Sequence, residues 1–293
     1  MRNTAGCGKD PGIRMGAAAW LLTLVLAGPA AAQIGVNLKV ESSRFLLHEA
    51  VPATVIIRNM TGGLLKFGTG PDDATLRLKV ERHKGRVLPD RDGESPMAGL
   101  SLMPGETREV SFNLARFVDL PETGPYQALA SVQWHDTSFE SGRIIFDVHK
   151  GVPLRTLTGG VATEPGVVRT YTLKSLQRDL TDCLYLAIGD PADESLYGLF
   201  PLGPFTRSPE PDCRFDEAGN LHLLFRAAGG SFVYTAFTPY GVRLAGETYR
   251  LTPTSNIRLL TQPSGQVAVE AVEMRAVTAA TNTAVLPGSG RGP

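Results

Sequence analysis

Apolar and polar side chains alternate at every second position through most of the chain, and this alternation restricts the fold more than any other feature. In Val36–Glu41, valine and leucine alternate with asparagine, lysine and glutamate, and the same period recurs at 76–81 and 126–134. A period of two is typical of half-buried β-strands, whereas an amphipathic helix needs a period of 3.6 residues, which no segment shows. The pattern therefore predicts an all-β protein, and 32 glycines and 21 prolines supply turns between short strands.

The N-terminus has the features of an export signal. Three basic residues among the first fourteen precede an apolar run at 17–28, and small residues lead to a predicted cleavage site after Ala32. The run is too short to span a bilayer comfortably. We therefore expect residues 1–32 to be a signal peptide, the protein to be secreted or periplasmic, and the mature chain to have no membrane span.

Charge and cysteine content narrow the possible partners and the chemistry. The chain has 29 basic and 29 acidic residues without a basic patch, which argues against a nucleic-acid partner. The predicted mature chain keeps two cysteines, Cys183 and Cys213. In an oxidising compartment they form either one disulfide, which would close a loop of about thirty residues, or two buried free thiols. The spacing leaves both possibilities open.

Residues 33–150 contain about seven short alternating segments, which favour a two-sheet β-sandwich. The stretches "FLLHEAVPATVIIRNMTGG", "LMPGE" and "DLPETGPYQALASV" resemble immunoglobulin-like domains of secreted bacterial proteins. In the last stretch Tyr126 is similar to a tyrosine corner, whose phenol bonds back to nearby backbone. The family usually has Gly-Glu-Pro where this chain has His48-Glu49-Ala50. The resemblance implies a fold and hardly any particular function, since such sandwiches serve many roles.

The remaining sequence predicts a second β domain made of repeated antiparallel hairpins. Residues 151–166 are rich in Gly, Pro and Thr and suggest a linker, 167–276 the hairpin domain, and 277–293 a disordered tail. Similar segments begin at Arg178 and Phe215, and their Asp179 and Asp216 are 37 residues apart. The same offset relates Leu184 to Leu221, and a third copy is placed around Ile257.

These segments weakly resemble β-propeller blades. In the stretch "DEAGN", Asp216, Gly219 and Asn220 are expected to form a structural turn, because Asp and Asn bond turn backbone and Gly accepts a positive φ. Three copies are too few to close a propeller, which needs at least four blades. A different β fold built from hairpins is favoured over a propeller that neighbouring chains complete.

No catalytic or metal-binding motif stands out. The five histidines have no metal-ligand spacing, and no nucleophile elbow, phosphate loop or dinucleotide fingerprint occurs. The loop "GDPADES" gathers acidic residues but departs from calcium-loop spacing, so a solvated hairpin loop is favoured. We therefore expect no cofactor and no bound metal.

The interpretation that follows is a secreted, non-catalytic binding or structural protein. The sandwich would act as a spacer or binding module, and the hairpin domain as an interaction surface for another protein or a carbohydrate. Tyr185, His222 and Tyr234 are candidate ligand contacts, with His222 and Tyr185 placed along a shared cleft. The alternatives are an extracellular hydrolase that acts on carbohydrate or peptide at a cleft between the domains, and a protease inhibitor.

Overall fold

A computed structural model describes residues 33–82, 85–89, 91, 95–192, 195–250 and 255–273. These residues form 21 β-strands and one 3₁₀ turn, Leu114–Arg116, which confirms the prediction of an all-β protein. The predicted signal peptide and the predicted disordered tail lie outside the described residues. Within the described ranges, no helix has the length and apolarity needed to cross a membrane.

The first half, residues 33–149, has two main sheets. Its strands are β1 (Ile34–Val40), β2 (Arg44–Leu46), β3 (Pro52–Asn59), β4 (Leu65–Lys66), β5 (Thr75–Arg82), β6 (Arg86–Val87), β7 (Ser101–Leu102), β8 (Thr107–Asn113), β9 (Gly124–Trp134), β10 (Thr137–Glu140) and β11 (Ile144–His149). One sheet has the order β1-β3-β8, and the other has the order β2-β11-β9-β5-β6 with β10 paired to β9. The short strands β4 and β7 pair separately.

One hydrophobic core lies between these two sheets. It takes the inward residues of both, among them Val55 and Ile57 from β3 and Val80 from β5, all fully buried. Tyr126 from β9 stacks on Phe146 from β11, with ring centroids 5.6 Å apart. Each such side chain contributes roughly 1.5–3 kcal/mol through burial, so the alternation in sequence is the source of the sheet packing.

The second half, residues 152–273, is a series of antiparallel sheets. Its strands are β12 (Val152–Gly160), β13 (Val168–Arg178), β14 (Thr181–Gly189), β15 (Leu196–Pro204), β16 (Asp212–Phe215), β17 (Leu221–Arg226), β18 (Phe232–Phe237), β19 (Arg243–Tyr249), β20 (Ser255–Thr261) and β21 (Val267–Glu273). Strands β12–β15 form one four-stranded sheet, β16–β19 a second, and β20–β21 a two-stranded sheet.

Most of the segment predicted as a linker, 151–166, is strand β12. The register between β12 and β13 shifts between Pro153 and Arg155. A bulge of this kind inserts one residue and breaks the period of two, which is why the segment did not resemble a strand. Gly159 also has a packing reason, because a Cβ there would lie 2.8 Å from the Phe215 ring.

The predicted 37-residue repeat does not match the sheets. Asp179 follows the second strand of its sheet, whereas Asp216 follows the first strand of the next sheet. The strands that occupy equivalent positions are β13 and β17, whose Leu173 and Leu223 both lie in the core between the two sheets. Alternation looks the same along every strand, so it cannot distinguish one strand of a sheet from its neighbour.

The three sheets of the second half pack face to face. Leu184, Leu186 and Ile188 of β14 meet the inward residues of β17 in one core. On the opposite face of β17, Leu224 packs against Ile257 and Leu259 of β20. The β16–β19 sheet is therefore covered on both sides.

The two halves meet in a small packed contact. Leu46 from β2 lies against Leu176 and Tyr185, and all three are buried. The Arg178 guanidinium lies 5.2 Å from the Phe45 ring centroid and 5.5 Å from that of Tyr185. It also forms an ion pair with Glu49. The contact is therefore apolar at its centre, with one ion pair beside it.

Three turns among the described residues place non-glycine residues in the left-handed region, and His135, at φ 50°, is in the turn between β9 and β10. His48, in the turn after β2, has φ 71°. The β13–β14 hairpin is closed by Asp179 and Leu180, with φ values of 44° and 67°. Two positive φ angles in a two-residue loop are the geometry of a type I′ turn, which favours glycine at its second position. Leu180 is also 92% exposed, so burial gives no compensation for its backbone strain.

We expect Leu180→Gly to raise the free energy of unfolding by roughly 1 kcal/mol, because glycine removes the left-handed strain and no packing is lost. Urea denaturation of the 33–293 chain measures the change. Leu180→Ala is the matched control, since alanine keeps the strain and should change stability by less than about 0.5 kcal/mol. An alanine variant as stable as the glycine variant would contradict the explanation.

Candidate functional site

A groove in the first half, the edge groove, is a concave site bordered by a sheet edge. Its volume is about 710 Å³. It is lined by Phe67–Thr69, Ala74–Leu78, Arg91, Phe117 and four residues of the 95–99 loop. Thus one wall is a β-strand, β5, and the others are loops that follow or face it.

Strand β5 presents to this groove backbone groups that have no partner among the described residues. On one side it pairs with β9 along its whole length. On the other side, Ala74 bonds to Lys66 and Gly68 at one end, and the Val80 carbonyl accepts from Leu88 N–H at the other end. Between these points, Leu76 and Leu78 have no backbone partner on the groove side among the described residues.

The hydrogen bonds of β9 show in which direction these groups point. Leu78 is opposite Ala130 in the ladder. The Ala130 carbonyl accepts from Ser141 N–H at 2.8 Å, and its N–H donates to Ser141 Oγ at 2.9 Å, both away from β5. Leu78 and Ala130 are therefore a pair without mutual hydrogen bonds, and the Leu78 N–H and C=O face the groove. Leu76, two residues earlier, has the same orientation.

Two guanidinium groups are the charged side chains of the described groove lining. Arg77 is exposed and has no ion pair among the described residues. Arg91 pairs with Asp119 at 2.9 Å, and both of these side chains are more than half exposed. The described lining contains no Asp, Glu, His or Cys. The groove therefore combines an apolar floor with backbone groups that lack a partner and with arginine side chains. The guanidinium groups can bind an anion, and the backbone groups can bind an extended chain.

His222 and Tyr234, two of the three predicted contact residues, do lie together. His222 Nδ1 is 2.8 Å from the Tyr234 hydroxyl, and its Nε2 is 3.0 Å from Asp216 Oδ2. The His222 side chain is only 11% exposed. This His–Asp pair is thus a mostly buried link between a turn and a neighbouring strand.

The predicted shared cleft of His222 and Tyr185 is wrong. Tyr185 is 1% exposed and packs against Leu46 at the contact between the halves. His222 lies on the face of β17 that also carries Leu224, which is covered by β20. The core between the two four-stranded sheets separates the two side chains, so they cannot line one site.

The predicted turn residues form a tight corner. The Asp216 N–H donates to the Asn220 carbonyl, and Asp216 Oδ1 accepts from the Asn220 N–H at 2.8 Å. Gly219 has φ 78°, and a Cβ there would lie 2.6 Å from the Gly160 carbonyl oxygen. Burial by itself raises the pKa of Asp216, but hydrogen bonds from His222 and Asn220 outweigh it and lower the pKa below its ordinary value.

Tyr126 makes the hydrogen bond that a tyrosine corner requires. Its ring is fully buried, and its hydroxyl donates to the Glu122 carbonyl at 2.6 Å. Burial raises the pKa of Tyr126, and the bond to the Glu122 carbonyl opposes that rise. The residue therefore has a structural place at the end of β9, outside the edge groove.

Of the two possibilities that the sequence left open for Cys183 and Cys213, the structure has two free thiols. Cys183 packs beside Leu176 and Tyr185 at the contact between the halves. Cys213 belongs to the core between the two four-stranded sheets. The thiols lie on opposite faces of the β12–β15 sheet, which prevents a bond. Burial raises the pKa of both, that of Cys213 to about 12.

We expect both thiols to alkylate without reductant once the 33–293 chain is unfolded in guanidinium. In the folded chain at pH 8, Cys213 should react at least 100-fold more slowly than a model thiol, because burial suppresses the thiolate and blocks access. Mass spectrometry after iodoacetamide treatment measures this. Chains that stay unmodified when unfolded, and gain two labels only after reduction, would show a bridge instead.

In the acidic loop after β14, the first carboxylate, that of Asp190, has a structural role. Asp190 pairs with the nearly buried Arg169 at 3.0 Å and accepts from the Ala192 N–H at 2.9 Å. Asp193 and Glu194 lie outside the described residues. Across the described part of the chain, no three potential metal ligands cluster.

Comparisons with known proteins give no family: a scan against protein-family models and a search of curated proteins both returned no match for this sequence. The function must therefore be inferred from the geometry of the site.

The sequence did not indicate Arg77, Arg91 or the open edge of β5 as parts of a site. Arg77 is visible as an outward residue of an alternating strand, but that pattern does not tell which strands lie at a sheet edge.

Proposed function

We propose that this chain is a secreted, non-catalytic binding protein whose immunoglobulin-like first half holds a ligand in the edge groove. The observation that carries the proposal is the unpaired stretch of β5 beside an apolar floor and two arginines. Unsatisfied backbone groups together with the exposed guanidinium of Arg77 favour recognition of a ligand. The lining residues supply hydroxyl and guanidinium groups, which suit binding better than general acid–base chemistry.

The second half acts as a support that could also present an interaction surface. Each of its sheets packs against the next sheet in the chain. The packed contact that contains the Glu49–Arg178 ion pair attaches this half to the first half. Its two four-stranded antiparallel sheets resemble propeller blades in strand number. In this proposal they hold the first half in a defined orientation at the cell surface.

The geometry favours this function over a hydrolase acting between the halves. A cavity of about 190 Å³ near the contact is lined by His48, Glu49 and Asp119, among others. Both carboxylates already have partners, because Glu49 bonds to Arg178 and the Leu46 N–H, and Asp119 pairs with Arg91. Neither is held ready to act as a nucleophile or a base.

Binding is tested with 8-anilinonaphthalene-1-sulfonate, an anionic aromatic probe that matches an apolar floor with an arginine rim. We expect the 33–293 chain to enhance the probe's fluorescence and Arg77→Gln to weaken its binding about threefold or more. Arg58→Gln is the control, since Arg58 is an exposed arginine on β3 in the other sheet. If Arg77→Gln and Arg58→Gln weaken probe binding equally, or if neither weakens it, the edge groove is not the binding site.

N-terminal sequencing of the exported protein tests secretion. We expect Gln33 to be its first residue.

A further inference from the structure

The open stretch of β5 has a defined length and a defined pattern of hydrogen-bonding groups. Its ends are closed by the bonds of Ala74 and Val80. Between them Leu76 and Leu78 each offer one N–H and one C=O to the groove, four groups in all. Since a strand rises about 3.3 Å per residue, the gap between the closed ends spans about 20 Å, the length of five or six extended residues.

We propose that an extended segment of a partner protein, carrying alternate apolar and acidic side chains, binds in the edge groove as an added strand beside β5. This inference rests on the proposed function and specifies its ligand. An extended backbone has the same spacing of N–H and C=O groups as β5. It can therefore satisfy all four free groups at once, as in other proteins that bind peptides by strand addition.

The side chains beside the open edge determine which segment fits. Side chains of an added strand point alternately to the two faces of the sheet. Those level with Leu76 and Leu78 would face inward, toward Phe67 and Phe117 on the groove floor. Those level with Arg77 would face outward, beside a guanidinium that has no other partner among the described residues. An apolar residue suits the inner face and Asp or Glu the outer face.

A second copy of this chain fits the edge less well. In a symmetric antiparallel pairing centred on the open stretch, Arg77 would lie opposite the Arg77 of the second copy. Like charges directly across two strands are destabilising. A free anion would use the guanidinium groups and leave the four backbone groups to water. The acidic extended segment is the occupant that satisfies both the charges and the backbone.

The test uses a fluorescein-Val-Glu-Val-Glu-Val-Glu-amide peptide, labelled at its N-terminus, and fluorescence anisotropy with the 33–293 chain. We expect saturable binding that weakens about tenfold or more when alternate peptide nitrogens are methylated, because methylation removes the donors that strand pairing needs. Replacing Glu by Lys in the peptide should have a similar effect. Arg77→Gln should weaken binding about fivefold, and Arg58→Gln should leave it unchanged.

The outcomes separate this inference from the function on which it rests. If methylated and unmethylated peptides bind equally, or if no peptide binds while the naphthalene sulfonate still responds to Arg77→Gln, strand addition is overturned and groove binding stands. If neither probe responds to Arg77→Gln, both proposals fail. A dimer seen by analytical ultracentrifugation at micromolar concentration, and strengthened by Arg77→Gln because that change removes the like-charge pair, would overturn the partner segment in favour of self-pairing.

Discussion

Replacing Glu49 by alanine should lower the free energy of unfolding by about 3 kcal/mol, the largest effect we expect from a single polar substitution. The Glu49 side chain is 9% exposed, and its carboxylate accepts from the Leu46 N–H at 2.7 Å while it pairs with Arg178. Removing it leaves a guanidinium held against the Phe45 and Tyr185 rings without a counter-charge. The buried Arg178 Nε already has no hydrogen-bond partner.

Chemical denaturation followed by tryptophan fluorescence and circular dichroism measures this loss. Glu122→Ala is the control, because Glu122 also pairs with an arginine, Arg82, but is 52% exposed. An exposed pair contributes about 1 kcal/mol or less. The double variant Glu49→Ala/Arg178→Met should recover part of the stability, since it removes the uncompensated charge. Equal losses for Glu49→Ala and Glu122→Ala would show that the contact between the halves contributes little.

Replacing Asp216 by alanine should lower the free energy of unfolding by about 2 kcal/mol at pH 7. The carboxylate accepts hydrogen bonds from the Asn220 N–H, the Asn220 amide and, through Oδ2, from His222. Its side chain is 17% exposed, so these donors would lose a partner in a place that water reaches poorly. Asp216→Asn should lose less, because an amide oxygen can still accept one of the three bonds.

The effect of Asp216 should also depend on pH. Its pKa in the folded chain is lowered from the model-compound value of 3.8. The unfolded chain therefore binds the proton more readily, and the stabilisation is present above about pH 4 and lost as the pH falls through the folded pKa. Urea denaturation of wild type and Asp216→Ala between pH 7 and pH 3 should show the two stabilities converging. A difference that stays constant over this range would assign the loss to turn geometry alone.

Local features were predictable because they depend on neighbours in the sequence. The inward residues of β1, β5 and β9 follow from their alternation, and the corner at Asp216–Asn220 follows from residue types that suit a turn. The strand β12 was missed although it is local, since its bulge shifts the alternation by one residue. The repeat was misplaced because every strand has a period of two, so this period does not show which position in a sheet a strand occupies.

The alternation of side chains was therefore enough to determine that this protein is built from β-sheets and which face of most strands is buried. Only the tertiary structure decided that β5 has an open edge, that Cys183 and Cys213 lie on opposite faces of a sheet, and that Glu49 meets Arg178 across 129 residues of chain. The physical reason is that many different strand orders would bury the same apolar side chains. The order that forms depends on packing between distant segments, which no single stretch of sequence contains.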